Sequence, residues 1–96
     1  MSLERLVLKY ITSAEHVFRV MTVNETARSI AIDDVKKVVE SAKAYLEDAR
    51  YYRDMHKFDV SLTSIAYCEG LLDALRLLGA VKFEWPAKAS MRETGK

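Results

Sequence analysis

Apolar side chains near the start of the chain recur with the period of an α-helix. At roughly 100° per residue they lie within an arc of about 140°, which is typical of a helix with one buried face. These residues are Leu3, Leu6, Val7, Tyr10, Ile11, Ala14, Val17, Phe18 and Met21. Ser2 precedes them as a suitable N-cap, with Glu4 in the first turn. The pattern predicts a first helix over about residues 2–23.

A second apolar stripe of similar width predicts a helix over about residues 29–56, which Ser29 or Asp33 can cap. The stripe consists of Val35, Val38, Val39, Ala42, Tyr45, Leu46, Ala49 and Tyr52. Charges of both signs cover the opposite face, and such mixing is typical of a solvated surface. Tyr51 and Met55 fall on this polar face and are its exceptions.

The third helix is predicted over about residues 59–78, with Asp59 as its N-cap and Gly79 as its stop. Its charged side chains, Glu69, Asp73 and Arg76, fall in a strip only about 60° wide. Apolar residues occupy most of the remaining circumference. A helix that is apolar nearly all round is expected to be buried on several sides.

Small residues form a ridge on one flank of the third helix, where Ala66, Gly70 and Ala74 repeat every four residues. Glycine inside a helix costs about 1 kcal/mol relative to alanine, and close approach of another backbone is the usual compensation. We therefore expect tight packing at Gly70, either within the bundle or across a two-fold dimer interface. Replacing Gly70 with leucine is then expected to destabilise the protein through overpacking.

A short alternating stretch over residues 80–86 predicts an extended segment, in which Val81, Phe83 and Trp85 dock on the helices. Residues 87–96 are small and charged and predict a disordered tail. The fold class is therefore all-α: a three-helix bundle with antiparallel up-down-up topology and a short extended C-terminal segment. Residues 1–86 are expected to form a single helical domain.

Composition narrows the classes of partner. The 96 residues carry a net charge of only +1, so no global field favours nucleic acid or an anionic membrane. The apolar segment 60–81 contains three charges, which favours a buried soluble helix over a membrane span. Cys68 is the only cysteine, which excludes an intramolecular disulfide and suits a reducing compartment. We therefore expect a cytoplasmic protein.

The motifs of common enzymes and metalloproteins are missing from the sequence. There is no glycine-rich phosphate loop, no cysteine pair for zinc and no His-Glu-x-x-His, so we expect no catalytic, cofactor or metal site. Cys68 lies on an apolar flank, where a thiol behaves as a small hydrophobe. Glu69 and Asp73 lie four residues apart and can share a cation or a proton. Arg76 more simply neutralises the pair.

Two segments carry a resemblance to a known family. AKAYLEDA at residues 42–49 and YCEGLLDA at residues 67–74, closed by Leu78 and Gly79, resemble the archaeal family catalogued as domain of unknown function 357. The resemblance covers roughly residues 29–81, and the second segment is its most specific part. It implies a small cytoplasmic helical bundle, and it carries over no catalytic position.

Two functions follow as hypotheses. The first is a non-enzymatic interaction module that forms a homodimer or docks on a helical protein partner. Its candidate surface comprises Ala66, Gly70, Ala74, Tyr51 and Met55, and the strip of Glu69, Asp73 and Arg76 is a candidate polar cluster.

The alternative is a nucleotide- or RNA-binding helical domain that uses Arg50, Arg53 and His56. The hairpin of the second and third helices distantly resembles helical domains paired with nucleotidyltransferases, some of which are ribonucleases with an arginine and a histidine a few residues apart. Nearby aspartates dilute the basic patch, so nucleic acid is the less favoured partner.

Overall fold

Three helices dominate the computed structural model, which describes residues 2–23 and 31–86. In chain order the elements are α1 (Leu3–Val20), β1 (Thr22–Val23), α2 (Ile32–Asp54), α3 (Phe58–Leu77) and β2 (Val81–Lys82). The predicted all-α three-helix bundle is confirmed. The predicted disordered tail at 87–96 and the start proposed at Ser29 lie outside the described residues.

The core is a single apolar cluster to which all three helices contribute. The largest helix–helix interface joins α2 and α3, and α1 packs mainly on α3. The fully buried residues of this core include Val7, Ile11, Val17, Val35, Ile65, Cys68 and Leu72. Ser61 is also fully buried, and its hydroxyl donates a hydrogen bond of 2.6 Å to the carbonyl of Ala49. This bond ties α3 to α2 and satisfies a polar group inside the core.

The C-terminal ends of α2 and α3 have the same geometry but use different residues. After α2, the amides of His56 and Lys57 donate to the carbonyls of Arg53 and Tyr52, and His56 has a φ of 57°. After α3, Gly79 occupies the equivalent position with a φ of 75°. Both ends are Schellman motifs, which need a left-handed residue that glycine adopts most easily. The predicted stop at Gly79 is confirmed.

The helix starts differ from the predictions for α2 and α3. Ser2 caps α1 by accepting a hydrogen bond from the amide of Arg5, as predicted. Ala31 is the N-cap of α2 and makes no side-chain cap bond, so Asp33 lies inside the first turn. Lys57 is the N-cap of α3, which places Asp59 in the first turn as well. The left-handed His56 makes the turn so short that α3 begins one residue before the predicted position.

A two-stranded antiparallel ladder closes one end of the bundle. Thr22 pairs with Lys82 and Val23 pairs with Val81, which brings the C-terminal ends of α1 and α3 together. Periodicity failed to predict β1, because two residues are too few to show alternation, and the first helix therefore ends at Val20 rather than 23. The extended segment docks as predicted: Val81 and Phe83 are buried and Trp85 is partly buried.

Candidate functional site

The side of α3 opposite to its buried residues is exposed, and after Asp59 in the first turn it carries no charge. We define the outer face of α3 as Thr63, Ala66, Tyr67, Gly70, Ala74 and Leu77, all of which are exposed. The buried residues of the same helix lie about half a turn away, on the side that faces α1 and α2. The charged strip of Glu69, Asp73 and Arg76 lies at the border between these two sides and is only partly exposed.

No part of the described chain packs on Gly70. A Cβ atom added there would meet no heavy atom within 4 Å. The predicted close contact within the bundle is therefore wrong, because α1 and α2 cover only the opposite half of α3. The expectation of a helix buried on several sides fails for the same reason: Tyr67 and Leu77 keep 54% and 74% of their surface exposed. Contact across a dimer interface stays a prediction.

The residues of the predicted interaction surface divide between two helices. Ala66, Gly70 and Ala74 share the outer face of α3. Tyr51 lies on α2 and Met55 is its C-cap; both are opposite to the buried side of the helix and are 60% and 45% exposed. The ring of Tyr51 packs edge-on against Tyr52. These residues therefore lie on the outer faces of two different helices.

The predicted polar cluster forms around Asp73. Its Oδ1 atom accepts hydrogen bonds from Nε1 of Trp85 at 3.0 Å and from Nε of Arg76 at 3.1 Å. The bond from Trp85 is the main cause of a lowered pKa of the Asp73 carboxyl. Arg76 therefore pairs with Asp73, and the C-terminal segment is attached to α3 through the same carboxylate.

Glu69 differs from Asp73 because the described residues offer it no hydrogen-bond or ion-pair partner. Partial burial is the main cause of a raised pKa of the Glu69 carboxyl, and the charge of Asp73 adds to it. Arg76 does not pair with Glu69, so the expected neutralisation of both carboxylates by one arginine is only half realised.

A groove of about 340 Å³ lies between α1 and α3. Glu69 and Asp73 line it from α3, and Ala66 and Gly70 contribute its small side chains. The remaining walls are Tyr10 and Ser13 of α1 and Trp85 of the C-terminal segment. Sequence reasoning missed this groove: it assigned Tyr10 to the core face and did not consider Ser13. The one signal pointing to it was the polar strip beside small residues.

The predicted basic cluster does not present free charges. Arg50 donates from Nη2 to the carboxylate of Glu15 at 2.7 Å and also pairs with Glu47. Its hydrogen bond to Glu15 is the main cause of a raised pKa of the Arg50 guanidinium. Arg53 pairs with the neighbouring Asp54 at 3.0 Å. Two of the three cations are thus already matched by carboxylates.

His56, the third member of the basic cluster, lies in the turn beyond α2, where its ring packs edge-on against Phe58. It therefore stands outside the helix that carries the two arginines.

Cys68 is fully buried, as the apolar flank predicted. Burial raises the pKa of its thiol to about 12, and the charge of Glu69 contributes. Such a thiol is protonated at neutral pH and is a poor nucleophile. Among residues 2–23 and 31–86, no three His, Cys, Asp or Glu side chains are grouped so that they could hold a metal ion. No helix in those ranges combines the length and apolarity needed to cross a membrane.

Comparison with known proteins gives one result. No curated protein and no solved structure matches this chain. Residues 9–81 match the family described as "Protein of unknown function (DUF357)", which extends the segments 42–49 and 67–74 to most of the bundle. The match includes α2 and α3 entirely and the part of α1 from residue 9 onward. The chain therefore belongs to the DUF357 family.

Proposed function

We propose that this protein is a non-enzymatic self-association module, in which the outer face of α3 packs against the same face of a second copy. The glycine at position 70 supports this proposal most strongly. It lies in the middle of α3, does not have a positive φ and touches nothing that a methyl group would disturb. Neither the backbone conformation nor packing within the described chain requires glycine there, although glycine costs the helix about 1 kcal/mol.

Contact with a second helix accounts for glycine at this position. Packed helix axes lie about 8–10 Å apart, and the smaller distances require small side chains at the crossing point. Ala66, Gly70 and Ala74 supply such a crossing point over two turns of α3. A two-fold axis near Gly70 would place the small residues of the two copies against each other.

The residues around the ridge suit a dry interface. Tyr67 lies beside it and is held in place by stacking on Tyr45, with ring centroids 4.3 Å apart. A rigid, half-exposed tyrosine supplies contact area at low entropic cost. Leu77 extends the apolar surface toward the end of the helix, and Leu78 beyond it is 64% exposed. From Thr63 to Leu77 no charged side chain on this face would need to be desolvated on association, and Asp59 lies about one turn before that stretch.

The alternative of nucleic-acid binding has less support from the same contacts. Nucleic-acid binding relies on unpaired protein cations, which neutralise phosphates and release the counterions condensed on them. Arg50 and Arg53 are instead engaged by carboxylates. The net charge of +1 offers no compensating field. Cytoplasmic location is part of the proposal, because a buried free thiol suits a reducing compartment.

Sedimentation velocity over a range of protein concentrations tests self-association, with two matched variants. Ala74→Lys places a charge on the outer face of α3, and Ala44→Lys makes the same change at an exposed alanine of α2. Both variants have the same net charge and a good helix former at the new position. We expect the wild-type chain and Ala44→Lys to shift from the mass of 11.0 kDa toward twice that value as concentration rises. Ala74→Lys is expected to stay monomeric.

Two results would contradict the proposal. The first is a wild-type protein that stays monomeric up to ~1 mM, a concentration at which even weak specific dimers form. The second is equal loss of association in both lysine variants, which would place the contact elsewhere. Salt-sensitive binding of a short RNA that Arg53→Ala abolishes would instead support the alternative function.

A further inference from the structure

We propose that the groove between α1 and α3 binds an alkylammonium group, with the Glu69 carboxylate as its counterion and the Ser13 hydroxyl as a second acceptor. The groove is distinct from the outer face of α3 in its polar groups, although Ala66 and Gly70 border both. A ligand of the groove would therefore contact polar groups that self-association through the outer face does not use.

Ser13 points to a ligand independently of the acidic residues. It keeps only 3% of its surface exposed, yet it lines the groove and has no hydrogen-bond partner among the described residues. Its hydroxyl is reachable from the groove, because every fully buried side-chain nitrogen or oxygen among the described residues has a hydrogen-bond partner. A group bound in the groove is therefore placed to pair with it. The Ser13 side chain and the Glu69 carboxylate are thus two acceptors without donors that line one groove.

The charges that line the groove favour a cationic ligand. The carboxylates of Glu69 and Asp73 both line the groove, and Arg76 and Trp85 donate only to Asp73. Both causes that raise the pKa of Glu69, burial and the charge of Asp73, disfavour its ionised form, and no neighbouring cation offsets them. A bound ammonium group would supply the missing charge and would donate to Glu69 and Ser13 together.

The other walls distinguish an organic ammonium from a metal ion. Among the described residues no three His, Cys, Asp or Glu side chains are grouped to hold a metal ion, and of the two carboxylates that line the groove Asp73 is already paired. Tyr10 and Trp85 provide aromatic surface, against which a cation and its methylene groups are attracted. Gly70 and Ala66 leave space between them, because neither has a side chain beyond Cβ. Such mixed lining fits a short alkyl chain that ends in an ammonium group.

Fluorescence titration of the full chain tests the site, because Trp85 is the only tryptophan. Putrescine is the probe for a free diamine, and Nα-acetyl-lysine methylamide is the probe for a lysine side chain of another protein. We expect a saturable change of Trp85 emission with at least one of these two probes. Whichever probe binds more tightly identifies the source of the ammonium group.

Two charge variants decide whether the binding occurs in the groove. Glu69→Gln is expected to weaken binding by about tenfold or more, because it removes the counterion. Glu40→Gln removes the same charge from the exposed side of α2 and is expected to leave the affinity unchanged. Gly70→Leu fills the groove without changing charge and is expected to abolish binding. Because Gly70 also belongs to the outer face of α3, this titration is made at a protein concentration where both proteins are monomeric, with circular dichroism confirming that the variant is folded.

The proposal is overturned if neither probe gives saturable binding up to ~10 mM, the limit of weak specific association. It is also overturned if Glu69→Gln and Glu40→Gln weaken binding equally, since the amine would then respond only to net charge. Failure here leaves self-association untouched, because Ala74→Lys changes the outer face of α3 at a residue that does not line the groove.

Discussion

The outer faces of α2 and α3 are equally exposed and lie equally opposite to the core, yet their chemistry is different. Exposed positions of α2 are mostly charged: Asp33, Asp34, Lys36, Lys37, Glu40, Lys43, Glu47, Asp48 and Asp54. The outer face of α3 carries no charge from Thr63 to Leu77 and centres on Gly70, with Asp59 preceding it on the same side. Charge of mixed sign keeps a helix face hydrated, whereas an uncharged face with small residues suits contact with another helix. Burial within one chain therefore does not explain the composition of α3.

The largest expected difference in stability is between a substitution on the core side of α3 and one on its outer face. Leu72 is fully buried, and Leu72→Ala should lower the free energy of unfolding by about 2–5 kcal/mol through lost contacts and a cavity. Leu77 is 74% exposed, and Leu77→Ala should cost less than about 0.5 kcal/mol in dilute solution. Urea denaturation at low micromolar protein measures both. A large cost for Leu77→Ala in the monomer would show that this face already belongs to the core.

Two glycine substitutions, one within α3 and one just after it, should change the stability by smaller amounts and with opposite signs. Gly70→Ala should stabilise the dilute monomer by about 0.5–1 kcal/mol, because the new methyl group meets nothing and helix propensity improves. Close packing on Gly70 within the chain would instead have made this substitution destabilising. Gly79→Ala should destabilise by about 1 kcal/mol, since a φ of 75° disfavours any side chain. Thermal unfolding of both variants checks the signs. A destabilising Gly70→Ala at high dilution would mean that a contact within the chain exists after all.

A substitution at the C-terminal end of α2 should have a smaller effect on stability. His56 occupies the left-handed position that Gly79 fills in α3. His56→Gly should stabilise by about 0.5 kcal/mol, as relief of the left-handed strain exceeds the added entropy of the unfolded chain. The gain should be the same at every protein concentration, because the end of α2 is outside the proposed interface. A gain that varies with concentration would contradict that placement.

The smallest effects concern the pH dependence of the two carboxylates beside the outer face of α3. The raised pKa of Glu69 means that its stabilising contribution exists in acid and disappears as pH rises through that pKa, so Glu69→Gln should stabilise at neutral pH. The lowered pKa of Asp73 has the opposite sign, so Asp73→Asn should destabilise at neutral pH. The Glu69 difference should shrink as pH falls through its raised pKa and vanish near the ordinary glutamate pKa of about 4.3, whereas the Asp73 difference should persist to about pH 4 and shrink only below it. Denaturation at several pH values checks this, and equal signs for the two variants would contradict the assignment.

Hydrophobic periodicity predicted the three helices because each has a buried stripe that repeats over about three or four turns. It failed where only one or two residues decide the structure. The left-handed His56 shifted the start of α3, and the two-residue strand β1 has no period to detect. Periodicity also overestimated the burial of α3, since it records which residues are apolar without showing which neighbour covers them.

The candidate site was only partly predictable for a related reason. Ala66, Gly70 and Ala74 share a face through helical spacing alone, so the ridge was visible in the sequence. The groove depends on contacts between distant segments, such as the bond from Trp85 to Asp73. Local spacing contains no information about which side chain of α1, such as Ser13, faces Glu69.

Cysteine cross-linking on the outer faces of the two helices tests the proposed interface most directly. Single cysteines at Ala66, Gly70 or Ala74 are compared with one at Ala44, under mild oxidation at a concentration where the protein associates. Cys68 contributes little background, because its thiol is buried and its pKa is about 12. Disulfides form only when Cα atoms approach within about 4.4–6.8 Å, a distance that two helices crossing at small residues reach. We predict a rapid covalent dimer for at least one cysteine of α3 and slow reaction for Ala44→Cys, whereas equally slow reaction of all four would contradict an interface on the outer face of α3.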